Sequence, residues 1–376
     1  MVMDSKGDFE NGWLLISGMR ILFATVDYFP ARGGLQASVH ELVHCLKIRG
    51  HFCAILVSAT RRDMTRPKAL VKAVSWKLFK RPFFISDKTF SYPVYRTKNP
   101  LESLSIVRRI FNPDVLVCVV GGSHTIDFAK MLCKTAGDLP TVIYIFDIQG
   151  VAFTADPVCA RSHVVSNAEV IASLIADHQC RPPIVPCIVD YTHCKVESTR
   201  EVVLYINPHP RKGVTLAWAI AEASKGLKFV FQESWYLGER RRKEIIARAQ
   251  NLGNVEFRAV VDQPAEVYRD ARVLLAPYGQ ERPRVVDEAQ ANGIPVIASD
   301  VPGLDESVGT GGVLLDPEGP INAWTSVLER LQTDEVYYDE LVAAAVRHSK
   351  RPEIQPEYLT EIFERELQYA IGHSRA

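Results

Sequence analysis

The sequence predicts an α/β protein of two parallel-sheet, Rossmann-like domains, and three observations carry that prediction. From Arg20 onward, apolar runs of strand length alternate with segments of helical period. A stretch at 181–200 is rich in proline and has no period, and a second series of strands and helices begins after it. Such alternation is what parallel strands joined by crossover helices require. The length of 376 residues suits two cores, because a single core stops growing at roughly 250–300 residues.

In the first series, strands are expected at 20–27, 52–59, 114–121 and 141–147. A helix over Leu35 to Ile48 places Val39, Leu42, Val43 and Leu46 at i, i+3, i+4 and i+7, which makes them its buried stripe. Residues 161–178 read as a short strand followed by a helix with Ser166 or Asn167 as its N-cap. In the second series, strands are expected at 201–207, 227–232, 254–260, 271–277 and 294–299, and an amphipathic helix at 357–372 closes the chain. The division that follows is a disordered extension over 1–18 with Met19 as the expected start, a first domain over 19–190, a linker over 191–200, a second domain over 201–356, and a closing helix and tail over 357–376.

Composition narrows the function. The 44 basic and 44 acidic residues cancel, which argues against nucleic acid as a partner. The eight cysteines lie between Cys45 and Cys194 without a C-x-x-C pair, so they read as buried packing residues of a reducing compartment. No segment has the length and apolarity of a membrane span, so a cytoplasmic protein is expected. Residues 61–84 break the balance: Arg61, Arg62, Arg66, Lys68, Lys72, Lys77, Lys80 and Arg81 face the single acid Asp63 and are interleaved with Trp76, Phe79, Phe83 and Phe84. Such a stretch suits an anionic membrane surface on the inner leaflet, at about 1 kcal/mol per basic residue; a helix whose aromatics enter the core is the other reading.

Residues 40–44 read HELVH, a spacing that can set two imidazoles on a zinc ion. Both histidines sit off the apolar stripe, by roughly 100–140° at about 100° per residue. His40 and His44 are therefore expected to be solvated along with Glu41 and Lys47, and no third ligand follows at a suitable spacing. No metal or other cofactor is expected.

Three stretches occupy strand-to-helix junctions, where amide groups and the helix dipole favour anions. YFPARGGLQ carries Gly33 and Gly34, NPHPRKGV carries Arg211, Lys212 and Gly213, and GQERPRVVDEAQANGIPVIASDVPGLDE carries Glu281 and Glu288. Glycines allow close approach to the backbone, cations hold a diphosphate, and carboxylates hold sugar or ribose hydroxyls. A dehydrogenase would need G-x-G-x-x-G after the first strand, and PARGGLQAS does not supply it.

In these three stretches and their order, the chain resembles the retaining glycosyltransferases of family 4, which have the GT-B fold of two Rossmann-like domains facing each other across a cleft. The resemblance covers about residues 19 to 350 and is strongest over VVDEAQANGIPVIASDVPGLDE. It implies transfer of a hexose from a UDP- or GDP-sugar to a carbohydrate or lipid-linked acceptor, as in cell-surface polysaccharide or glycolipid synthesis. It implies that Lys212 binds the donor diphosphate, that Glu288 holds the ribose, and that Gly33, Gly34, Asn207, Arg211, Arg284 and Val285 complete the donor site. No D-x-D occurs, which suits a metal-independent reaction. The family's first signature glutamate corresponds to Gln280, with Glu281 one step late, so either of them is the residue expected at the donor sugar. Asp147 stands where the family often places an acceptor-side histidine, and His124 is a second acceptor-side candidate. The departures at Gln280, Pro283 and Asn207 leave open an alternative, a catalytically impaired homologue that serves as a nucleotide-binding or scaffold subunit.

Overall fold

The computed structural model describes residues 18–60, 84–176 and 180–373. Two sheets form. The first has the order β3-β4-β2-β1-β5-β6-β7, from β1 (Arg20–Thr25), β2 (Phe52–Ser58), β3 (Phe84–Asp87), β4 (Val94–Thr97), β5 (Val115–Val120), β6 (Thr141–Ile145) and β7 (His163–Ser166). Its pairs are parallel except β3 with β4. The second has the order β10-β9-β8-β11-β12-β13 and is parallel throughout. Its strands are β8 (Val202–Ile206), β9 (Phe229–Gln232), β10 (Val255–Arg258), β11 (Ala271–Ala276), β12 (Val296–Ser299) and β13 (Gly312–Leu315). Helices cover both faces of each sheet, so inner strands such as VLVCVV of β5 are buried at every residue.

In both sheets the chain changes direction at a central pair of strands, β1 with β5 and β8 with β11. At such a switch point the loops beyond the strand ends part and leave a crevice. The four loops concerned follow Thr25, Val120, Ile206 and Ala276, and nearly every residue singled out in the sequence lies on them or on the helix that each one opens.

The short strands β3 (FISD), β4 (VYRT) and β13 (GVLL) were not expected: β3 and β4 mix polar with apolar residues, and β13 directly follows the glycine-rich GTG. The expected cap of the helix Glu169–Ala176 is also corrected. Ser166 Oγ donates instead to Ala168 O at 3.0 Å, and the Glu169 amide reaches the Glu306 carboxylate of the other domain at 3.1 Å. A cap supplied from 137 residues away leaves no local signal. Of the eight cysteines, all free, Cys53, Cys118, Cys159, Cys187 and Cys194 are buried, but Cys180 is exposed. Apart from Gly18 and Phe84, the expected extension 1–18 and the basic stretch 61–84 lie outside the described residues. Among the described residues no helix is long and apolar enough to cross a membrane.

The last helix, Pro356–His373, packs on the first sheet rather than the second. Leu359, Phe363, Leu367 and Ala370 join the core that contains Phe23 and Tyr144, with ring centroids 6.3 Å apart for Phe23–Phe363 and 5.2 Å for Tyr144–Phe363. Its polar side holds the same domain: Glu364 accepts from Arg49 Nε at 2.6 Å and contacts His51 Nε2 at 2.8 Å. Replacing Phe363 with Ala should therefore cost the first domain roughly 3–5 kcal/mol, read as an earlier transition for that domain in denaturant titration followed by near-ultraviolet circular dichroism.

Candidate active site

The turn after β8 brings the cations forward. Residues Pro210–Lys212 form one 3₁₀ turn, and Gly213 follows with φ +64° before the helix Val214–Ala223. A side chain at Gly213 would put its Cβ 1.7 Å from Pro277 O, so only glycine lets this turn press against the loop after β11. The turn is pinned by Tyr205 Oη, which donates to Lys212 O at 2.8 Å. Asn207 is buried and accepts from the Ser234 amide at 3.1 Å through Oδ1, while its Nδ2 has no hydrogen-bond partner.

Lys212 Nζ donates to Glu281 Oε2 and stands 4.7 Å from the ring centroid of Tyr278 and 5.8 Å from that of Trp235. The other oxygen, Glu281 Oε1, is buried without a hydrogen-bond partner. Gln280 is exposed. Of the two residues left open by the sequence, Glu281 is therefore the one brought to the lysine, and its unfilled acceptor sits beside an ammonium and two aromatic faces.

Across the crevice, Arg211 Nη2 donates to Gln149 Oε1 at 3.3 Å, and Nη1 is 3.9 Å from Asp147 Oδ2. Asp147 caps the turn Ile148–Gly150 by accepting from the Gln149 amide at 2.9 Å with Oδ1, so its second oxygen is the one that faces Arg211. His124, 65% exposed, lies 3.8 Å from Asp27 at the ends of the loops after β5 and β1. Gly33 is extended, with φ 169°, and opens the helix Gly34–Ile48.

The helix Arg284–Ala291 opens beside Gly34. A Cβ at Gly34 would lie 3.4 Å from Arg284 Cδ. The Arg284 guanidinium donates to Glu288 Oε1 at 2.6 Å, to Glu41 Oε1 at 2.8 Å and Oε2 at 3.0 Å, and to Ser38 Oγ at 3.2 Å. Tyr268 Oη donates to Glu288 Oε2 at 2.5 Å, and the Asp190 amide to Glu41 Oε2 at 3.0 Å. Val285 packs against the second core. Each oxygen of Glu288 has a partner, yet a carboxylate has about four acceptor positions in all, so its acceptor capacity is not exhausted.

The solvated reading of HELVH is thus corrected for two of its members. Glu41 is buried because the second domain covers the helix face next to the apolar stripe. His40 is half-buried between Phe29 and Phe90, with Nδ1 2.5 Å from Tyr92 Oη, whereas His44 is exposed. Among the described residues no three His, Cys, Asp or Glu side chains gather as a metal-binding group.

Sequence reasoning missed Glu41, Gln149 and Arg32. Arg32 reaches Val261 O at 2.6 Å and Asp262 at 2.5 Å across the crevice. Only the place of Arg32 directly before the Gly-Gly pair could have flagged it. Sequence reasoning also missed Arg282, which pairs, buried, with Asp287 at 3.1 Å.

Comparison with known proteins agrees with this geometry. Residues 201–334 match the family model described as Glycosyl transferases group 1. A D-inositol 3-phosphate glycosyltransferase of Corynebacterium diphtheriae is 38% identical over 91 residues, 23% of this chain and 21% of the relative. One of Thermomonospora curvata is 39% identical over 101 residues, 26% of this chain and 23% of the relative. The matches therefore span about a quarter or less of these curated relatives. In structure, Anabaena HepE in complex with UDP and glucose superposes with a TM-score of 0.72 at 14% identity, over 93% of this chain and 99% of that one. Sucrose-phosphate synthase of Thermosynechococcus elongatus gives 0.69 at 16% identity, over 94% and 99%. The fold is GT-B, and the family model matches the part of the chain that forms the second sheet.

His209 reports on the charge at this site. Burial, followed by the positive charges of Arg241, Arg211 and Lys212, pulls its imidazole below the ordinary histidine range. The neutral ring then accepts from the Arg211 amide at Nδ1, 3.2 Å away. An NMR titration of His209 should give a midpoint below that of a free histidine, and an anionic nucleotide bound at the two cations should move it upward.

Proposed function

We propose that the protein is a retaining, metal-independent glycosyltransferase that moves a hexose from a nucleoside diphosphate sugar, UDP-sugar first among the candidates, to a carbohydrate or lipid-linked acceptor. The observation that carries the reading is the pairing of Lys212 with Glu281 at the switch point of the second sheet, with Arg211 facing Asp147 across the crevice. HepE, similar in fold over nearly the whole chain, is seen with UDP-glucose, which supports a uridine nucleotide as the first donor to test.

In this reading the donor diphosphate lies over the turn Pro210–Lys212 and the Gly33–Gly34 loop. Lys212 has three donors, so it can hold the phosphate and keep Glu281. As the bond from the sugar to the diphosphate breaks, negative charge grows on the leaving oxygen, and the ammonium stabilises that charge more than it does the intact donor. Glu281 Oε1 accepts from a donor sugar hydroxyl, and Glu288 from the ribose. The leaving diphosphate takes the proton of the acceptor hydroxyl on the same face, while Asp147 and His124 orient that hydroxyl. Where a divalent cation would otherwise neutralise the diphosphate, Lys212 and Arg211 do so.

Calorimetry with UDP, GDP and ADP and their glucose conjugates, with and without EDTA, tests the reading. One nucleotide should bind regardless of EDTA. Lys212→Ala should lower donor turnover about 100- to 1,000-fold, the range for losing one preorganised charge-stabilising group, and Glu281→Gln about 10-fold or more. Gln280→Ala should stay within threefold of the parent. Binding without turnover in the parent would favour the scaffold alternative that Gln280, Pro283 and Asn207 raise.

A membrane-held acceptor suits the basic, aromatic composition of residues 61–84. Replacing Lys68, Lys72, Lys77 and Lys80 with Ser should weaken sedimentation with phosphatidylserine vesicles at least tenfold, since each is expected to add about 1 kcal/mol. Unchanged sedimentation would remove the membrane from the proposal.

A further inference from the structure

Gly34, Ser38 and Glu41 stand at i, i+4 and i+7 on one helix and so share a face. The Arg284 side chain from the other domain lies along that face, with its Cδ against Gly34 and its guanidinium between Ser38, Glu41 and Glu288. Only 10% of Arg284 and 11% of each carboxylate remain exposed. The two oxygens of Glu41 receive three hydrogen bonds, two from Arg284 and one from the Asp190 amide at the start of the connection between the sheets. A planar fork can serve two carboxylates on different elements at once, which a single ammonium cannot do with the same geometry.

The segment that leads into the helix Arg284–Ala291 is held by three further contacts. Glu281 meets Lys212, Arg282 is buried against Asp287, and a Cβ on Gly303 would stand 2.5 Å from Glu281 O. Little slack therefore separates Arg284 from the residues at the donor diphosphate.

We propose that Glu41 is a positioning residue of the donor site: from the first domain it holds Arg284, and through Arg284 it fixes Glu288 toward the donor ribose, so that nucleotide binding depends on the docking of the two domains. The inference rests on the donor-site reading for the ligand, while the bridge itself is open to a test without one.

The experiment compares the parent with Glu41→Ala, the near-isosteric Glu41→Gln, Arg284→Lys, Arg284→Ala and the double variant Glu41→Ala/Arg284→Ala. The probes are UDP, GDP and ADP in calorimetry, and hydrogen exchange is measured on the same unliganded proteins. Glu41→Ala should weaken the nucleotide that the parent binds about tenfold, with Glu41→Gln in the same direction. Arg284→Lys should fail to restore binding although it keeps the charge, and the double variant should bind no more weakly than Arg284→Ala alone. Amides of both Gly34–Ile48 and Arg284–Ala291 should exchange faster in Glu41→Ala and Glu41→Gln. A nucleotide affinity within twofold of the parent, accompanied by a lower melting temperature, would make Glu41 a packing contact only and overturn the proposal. If the parent binds none of the three nucleotides, the donor reading fails; unchanged exchange in the Glu41 variants then overturns the bridge as well, and faster exchange in both helices upholds it. Should Glu41→Ala not fold, Glu41→Gln carries the same comparison.

Discussion

A guanidinium held between two buried carboxylates on different domains is the constraint around which the molecule is arranged. Arg284 cannot leave Glu41 without stranding a charge away from water, and breaking a buried pair from one side costs about 3–5 kcal/mol. The other cross-domain pairs are of another kind. Asp262 is 90% exposed where it meets Arg32, and Arg211 is 57% exposed where it faces Asp147. Such pairs are worth roughly 0.2–1 kcal/mol. The inner bridge therefore fixes how the strand ends face each other, and the outer, solvent-exposed pairs add little to that.

That division of labour suits the anionic donor proposed for this site. Lys212 is paired with Glu281 and flanked by the rings of Tyr278 and Trp235, which holds the ammonium in place. In the proposed reaction, an ammonium held in this way would need little reorganisation to meet charge growing on a leaving diphosphate. Arg211, by contrast, is solvated and holds Gln149 and Asp147 only loosely, as a residue that changes partners should.

Much of this was legible in the sequence because it rests on patterns that are local. Buried parallel strands leave continuous apolar runs, and a glycine that must sit at positive φ before a helix, as Gly213 does, leaves a visible mark. The elements that escaped notice fall into two groups. The strands β3 and β4 lack the apolar run that marked the equally short β9 and β12, and β13 directly follows glycines. Glu41, Arg32, Arg282 and Glu306 act on partners far away in the chain, and nothing next to them announces a partner: Glu41 looked like a solvated helix residue until a second domain covered it. That Glu281 rather than Gln280 meets Lys212 was hidden for the same reason, since the lysine lies on a distant loop.

The helix Pro356–His373 crosses back to complete the core of the first sheet, and this has a consequence for biosynthesis. Domains tend to fold in the order in which they leave the ribosome, but here the earlier one lacks Leu359, Phe363 and Leu367 until the second has been made. During translation the first sheet exposes the apolar surface around Phe23 and Tyr144 that this helix later covers. The nascent chain is thus vulnerable to aggregation for as long as the second domain takes to emerge, and a chaperone that shields this one surface would be most useful during that interval.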